Sequence, residues 1–243
     1  MPHGTSPIRF IAILALAALQ QCGVVYSQNV DVRAHFEIAR PATGKSPVRA
    51  SSPDVVLWLN PVLPGVAATG VAVTPGHFSM VQKDKAFHPH LLVVPLGSIV
   101  AFPNLDPFFH DVFSQFNGRR FDLGLYESGS SKEVRFDREG VSYIFCDIHP
   151  EMSAVIVTLS TPWYVVARGS GTVVLRDVPE GAYEMHLWAE GVDTKQLEAL
   201  TRRVRISSAQ NDLGVLQLTT SGTAPAHKNK FGDDYPPGPA TTY

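Results

Sequence analysis

The sequence predicts an all-β protein built mainly from antiparallel sandwiches. Three observations carry that expectation. From 91 onward, runs of four to eight apolar or alternating residues are separated by Gly, Pro, Asn and Ser clusters. The period in those runs is close to two rather than 3.6. The one stretch with helical character, TKQLEALTRR at 194–203, is long enough for one or two turns only.

Taken in order, the N-terminal residues read as an export signal. Arg9 precedes the apolar run FIAILALAAL, and small residues close the segment at Val25, Tyr26 and Ser27. That run is too short to span a bilayer, which predicts cleavage, a mature chain beginning at Gln28, no membrane span, and a periplasmic or secreted location. A lipid anchor on Cys22 fits poorly, because LQQC departs from a lipoprotein box. Removing residues 1–27 from the 243 leaves about 215, enough for one large or two small domains. It also removes one positive charge, Arg9, and no negative one, so the formal charge moves from -2 to -3. With no basic stripe to neutralise phosphates, nucleic acid is excluded as a partner.

Residues 28–84 form an N-terminal β extension, with strand-like VDVRAHFEI and DVVLWL separated by a polar link; which sandwich they join is left open. Residues 85–160 supply the first sandwich. Its strands are LLVV at 91, IVAF at 99, HDVFS at 110, KEVRF at 132, VSYIFC at 141 and AVIVTL at 154. Turns fall at 95–98, 104–107, Asn117-Gly118, 129–131 and Glu139-Gly140. FDLGLY at 121 alternates and is placed on a sheet edge. After Thr161-Pro162, residues 161–220 make a second, small β-sandwich through WYVVA, TVVL, AYEMHLW, VRI and LGVLQL. Its DVPEGAYEMHLW stretch resembles the regulatory-like modules of carboxypeptidases and transthyretin-like domains, a weak signature to which no chemistry is assigned. Residues 221–243, rich in Pro, Gly and charge, are expected to be a disordered tail.

Chemistry concentrates in YIFCDIHPEM at 143–152. Cys146 is the one thiol left after signal removal, in a compartment where thiols ordinarily pair or oxidise. A buried cysteine packs well as a small hydrophobe, but this one stands three residues before His149, which stands three before Met152. A strand ending at Phe145 and a loop stiffened by Pro150 let a thiolate, an imidazole and a thioether converge. The fourth candidate is His110, at the start of a predicted strand thirty-six residues upstream. Two imidazoles, a thiolate and a distant thioether suit copper that cycles between two oxidation states. Structural zinc gains nothing from methionine.

GVSYIFCDIHPEM and the upstream VPLGSIVAFPNLDPFFHDVFS resemble the copper-binding stretches of cupredoxins, the plastocyanin and azurin group, with a ligand-loop spacing similar to that of amicyanin. The resemblance covers roughly residues 85–160 and implies a cupredoxin-like Greek-key β-sandwich holding one type 1 blue copper. By that resemblance the metal ligands are His110, Cys146, His149 and Met152, with Met152 the weak axial one. One position departs from the pattern: Asp111 stands where cupredoxins usually carry the asparagine that braces the copper loop.

Single histidines elsewhere are read as structural, among them His35, His77, His186 and His227. His88 and His90 in AFHPH lack the further ligands that a second metal site needs. Trp58, Trp163 and Trp188 are read as core or interface residues. A dinuclear copper centre requires two cysteines, a histidine-brace oxygenase requires an N-terminal histidine, and no nucleophile elbow or phosphate loop is present.

The expectation is therefore not an enzyme but a one-electron carrier, with His149 as the electron's door. Around it, Pro107, Phe108, Phe109, Ile148, Pro150 and Met152 are expected to form an apolar patch for a redox partner such as a cytochrome c or a dehydrogenase. Two other readings compete: a copper delivery or storage protein, and a metal-free interaction module on the same fold.

Overall fold

A computed structural model describes residues 28–39, 52–62, 73–115, 118–221 and 227–235. Residues 1–27, expected to be an export signal, the link at 40–51, Asn117 and the remainder of the expected tail lie outside the described residues. Seventeen strands and one short helix occupy the described chain. They are β1 (Asn29–Ala39), β2 (Asp54–Pro61), β3 (His77–Ser79), β4 (Val81–Lys83), β5 (Ala86–His88), β6 (Leu91–Pro95), β7 (Ser98–Pro103), β8 (His110–Ser114), β9 (Phe121–Tyr126), β10 (Ser131–Phe136), β11 (Gly140–Cys146) and β12 (Ser153–Leu159). There follow β13 (Tyr164–Arg168), β14 (Gly171–Pro179), β15 (Gly181–Ala189), α1 (Thr194–Leu200), β16 (Arg202–Ile206) and β17 (Asp212–Thr219). The protein is all-β, as its periodicity predicts.

The strands form two sandwiches. In the first, the sheet β10-β7-β3 faces the sheet β6-β12-β11-β8-β9, and the chain passes between them in Greek-key fashion. β9, the alternating FDLGLY, lies at the edge. In the second, β14-β1-β17 faces β13-β2-β15-β16. The pairings answer what the sequence left open. β1 pairs with β14 and β17, and β2 with β13 and β15, so both close the second sandwich; β3 pairs with β7 in the first.

Burial explains a contrast in the sequence. On the outer strands β1 and β10, buried and exposed residues alternate, because one face of each sheet meets water. β2 (DVVLWLNP) and β12 (SAVIVTL) are apolar almost throughout, the signature of strands covered on both faces. Val55, Leu57 and Leu59 point into the second sandwich, and Ala154 and Ile156 into the first. The opposite faces meet each other: Val56, Trp58 and Trp188 pack against Val155, Val157 and Leu159 in a third buried cluster. The two sandwiches thus share a dry interface and form a four-layer stack. Trp58 and Trp188 belong to that interface, while Trp163 lies in the core of the second sandwich.

A polar clamp adds to the interface. His90, at the start of β6, lies 2.7 Å from Glu190, just after β15, and 3.1 Å from the carbonyl of Ser153. The carboxylate holds the His90 pKa above its usual value, and the imidazole holds that of Glu190 below its own.

Candidate metal centre

Two elements at one end of the first sandwich supply the site. β8 begins at His110 and β11 ends at Cys146, and the two strands are hydrogen-bonded neighbours with Cys146 paired to Val112. A backbone bond from the Asp147 N–H to the Asp111 carbonyl, 2.8 Å, ties the following loop to β8. That loop then folds back on itself: the Met152 N–H donates to the His149 carbonyl at 3.0 Å, and the Cys146 N–H to the Met152 carbonyl at 3.3 Å. The tight return places His149 over the end of both strands.

The side chains converge. Cys146 Sγ lies 3.6 Å from His110 Nδ1 and 3.5 Å from His149 Nδ1, and the two Nδ1 atoms are 3.2 Å apart. Among the described residues these three make the one group of at least three His, Cys, Asp or Glu side chains placed to hold a metal ion. An ion bonded at about 2.0–2.3 Å to imidazole and thiolate holds such atoms about 3.3–3.8 Å apart, so the triangle fits a first-row transition metal with little movement. His110 and Cys146 are fully buried and His149 half-buried. Met152 is buried in the core cluster that also contains Cys146. Its backbone fastens the loop, and its side chain belongs to the interior and not to the surface patch that the sequence suggested.

Burial favours the neutral forms of the thiol and of His149. Burial pushes the Cys146 thiol above its ordinary pKa, although the amides of Asp111, Ile148 and His149 donate toward the sulfur and partly offset it. Burial, with the neighbouring His110, pushes the His149 pKa down, which keeps its imidazole neutral. Neutral imidazole is the ligating form, and binding of a metal releases the thiol proton.

Asp106 fixes His110. Its Oδ2 lies 2.9 Å from His110 Nε2, with both side chains buried. Burial opposes the Asp106 charge, yet the bonds from His110 and from the Lys85 and Asp84 amides outweigh it and hold its pKa below normal. An ionised carboxylate only accepts, so Nε2 carries the proton and Nδ1 presents its lone pair to the site. The same carboxylate accepts from the amides of Asp84 at 2.6 Å and Lys85 at 3.0 Å. These two residues form the β4–β5 turn with φ of 55° and 53°, a left-handed conformation usually left to Asn or Gly. Asn104 completes the support by accepting from the Asp106 amide and donating to the Phe108 carbonyl.

Phe108 lies against both imidazoles, its ring 5.3 Å from that of His110 and 5.4 Å from that of His149. It packs the site, whereas Leu105, Phe109 and Ile148 stand out into solvent on the same two loops, together with Pro107 and Pro150.

Asp111 is buried and does not make the bracing contact of an amide. Its Oδ2 is 2.8 Å from Lys230 Nζ, which also lies 3.1 Å from Asp122. Burial and the nearby Asp122 outweigh the lysine and raise the Asp111 pKa. Residues 227–235, part of the tail expected at 221–243, lie against the site loop. A composition rich in Pro, Gly and charge does not reveal these contacts.

Sequence reasoning singled out His110, Cys146, His149 and Met152 and missed Asp106, His227, Lys230 and Tyr235. Asp106 had a signal, standing four residues before His110. The tail residues had none, since their partners are about 80 to 120 positions away in the chain. His90, for which the sequence offers no second metal site, bonds Glu190 across the interface between the sandwiches.

No family model and no curated protein matches the chain. Among solved structures it is similar to a purple cupredoxin from Nitrosopumilus maritimus, with 22% identity over 33% of this chain and 98% of that one, at a TM-score of 0.30. An amicyanin in its reduced Cu(I) form aligns with 18% identity over 42% of this chain and 98% of that one, TM-score 0.33. A pseudoazurin from Sinorhizobium meliltoi aligns with 18% identity over 36% and 76%, TM-score 0.29.

Proposed function

We propose that the protein is an exported one-electron carrier that holds a single copper ion through His110, Cys146 and His149, with Met152 as a weak fourth ligand. The convergence of two Nδ1 atoms and one Sγ at the closed end of a β-sandwich carries this reading. Thiolate and thioether favour Cu(I), imidazole serves both oxidation states, and together they make a site able to accept and release one electron. Bound copper supplies that redox couple; the protein supplies rigidity.

The chain's own residues explain how. Asp106 sets the His110 tautomer, the amides of Asp111, Ile148 and His149 stabilise the thiolate, and Phe108 keeps water from the imidazole faces. A framework fixed on two bonded strands disfavours rearrangement when charge changes. His149 is the least buried of the three converging residues, and the exposed Leu105, Phe109 and Ile148 share its end of the molecule. In this reading they form the docking surface for a redox protein, such as a cytochrome c or a dehydrogenase, and His149 passes the electron. No bond-making chemistry is proposed.

Protein loaded with Cu(II) should show an intense thiolate-to-copper absorption band and a reversible one-electron wave, and should keep its metal through repeated cycles. Rapid loss of Cu(I) to an acceptor protein without a reversible wave would instead indicate copper delivery.

A further inference from the structure

We propose that the C-terminal segment 227–235 is a working part of the metal centre: a brace in which Lys230 positions the ligand loop by compensating the carboxylate of Asp111. The proposal rests on the copper reading above for its effect on metal binding, but the brace itself is independent of it.

The segment comes after the second sandwich in the chain, yet its contacts fall on the site loop and its neighbours. His227 Nε2 lies 2.8 Å from the Pro150 carbonyl, and its ring stacks on Phe145 at 4.0 Å. The Tyr235 hydroxyl donates to the carbonyl of Cys146 itself at 3.0 Å. The Lys230 amide donates to Asp147 Oδ1 at 2.8 Å, while its ammonium reaches Asp111 and Asp122. Gln115, just beyond β8, donates to the Lys230 carbonyl. Within the segment, Asn229 accepts from the amides of Phe231 and Asp233, which holds the turn that aims Lys230 inward. The bonds therefore reach Cys146, Asp147 and Pro150 and join them to the residue that follows His110.

Physical chemistry gives the lysine a specific task. Asp111 is buried directly after a ligand histidine, and its Oδ2 meets the Lys230 ammonium at 2.8 Å. Where an asparagine could brace the loop without charge, an aspartate needs a cation, and removing one partner of a buried pair leaves the other uncompensated. Lys230 is that cation, and its backbone simultaneously pins Asp147. Other features carry less: the cleft between the sandwiches, of about 600 Å³ and lined by Tyr143, Trp188, Asp193 and the His90–Glu190 pair, has these polar side chains already engaged, His90 with Glu190 and Asp193 with the Lys195 amide.

The test compares full-length wild type with Lys230→Met, Asp111→Asn, the double variant and Tyr235→Phe. In metal-free protein, hydrogen exchange at the amides of 146–149 is expected to quicken in Lys230→Met and to return toward wild type in the double variant, because a neutral carboxamide in place of the Asp111 carboxylate needs no cation. With copper bound, Lys230→Met should release Cu(I) to a chelator about 10–100-fold faster, the usual scale for groups that orient ligands. It should also shift the reduction potential to more negative values, again reversed in the double variant. Tyr235→Phe should show the same loosening at smaller amplitude. Unchanged exchange at 146–149 in folded Lys230→Met, or a double variant no better than the single, overturns the brace. If wild type binds no copper while the exchange pattern holds, the copper reading falls and the brace stands.

Discussion

Replacing Asp106 by alanine should be among the most damaging single changes in the first sandwich, and its cost can be worked from three bonds. The His110 Nε2 bond joins two buried side chains, so the orphaned N–H finds no water; a bond to a charged acceptor contributes about 1.5–3 kcal/mol. The amides of Asp84 and Lys85 are only partly buried, and each loses about 0.5–1.5 kcal/mol. With their left-handed turn no longer held, the β4–β5 hairpin loosens as well. The sum is about 2.5–6 kcal/mol, a large fraction of a typical domain's stability. Asp106→Asn keeps one acceptor oxygen and should cost about half as much. Urea unfolding of metal-free protein followed by circular dichroism measures both. A loss under about 1 kcal/mol for Asp106→Ala, with the hairpin intact, would refute the idea that this carboxylate organises the site.

Other outcomes follow from the same structure. Trp188→Ala opens a cavity in the dry interface and should cost about 3–5 kcal/mol, measured by the same unfolding curves. The His90–Glu190 clamp gives a pH dependence. Its His90 contribution is complete below the ordinary value of 6.5 and is lost as pH rises through the raised folded value; its Glu190 contribution is present above 4.5 and is lost as pH falls through the lowered one. The melting temperature of wild type should therefore exceed that of Glu190→Gln at mildly acidic pH and converge with it in alkali. The gap should be small, because both groups are partly exposed and Asp54 and Arg168 lie nearby. Phe109→Asp should slow electron exchange with a redox partner and leave the copper spectrum unchanged. Phe108→Asp, which intrudes on both imidazoles, should alter the spectrum itself.

The longer strands of both sandwiches were legible because period-two alternation reports one buried face; the three-residue strands β3, β4 and β5 are too short to show a period. The continuous apolar runs of β2 and β12 carried further information, a second buried face, and hence the stacking of the two sandwiches. Assignment of β1 and β2 to the second sandwich was not legible, since both pair with strands more than 100 residues later in the chain. At the site, the spacing of Cys146, His149 and Met152 is local and readable, and His110 begins a strand whose end must lie near theirs. Asp106 was readable in hindsight from its position four before His110. Lys230 was not, because no periodicity connects a tail lysine to a buried aspartate 119 positions earlier.

The central claim is tested most directly by the visible absorption spectrum of the Cu(II)-loaded chain beginning at Gln28, recorded beside Cys146→Ser. One copper per chain and an intense thiolate-to-copper band, abolished in the variant and on reduction, is the predicted result. Folded protein that takes up no copper, or takes it up with no such band, would contradict the account.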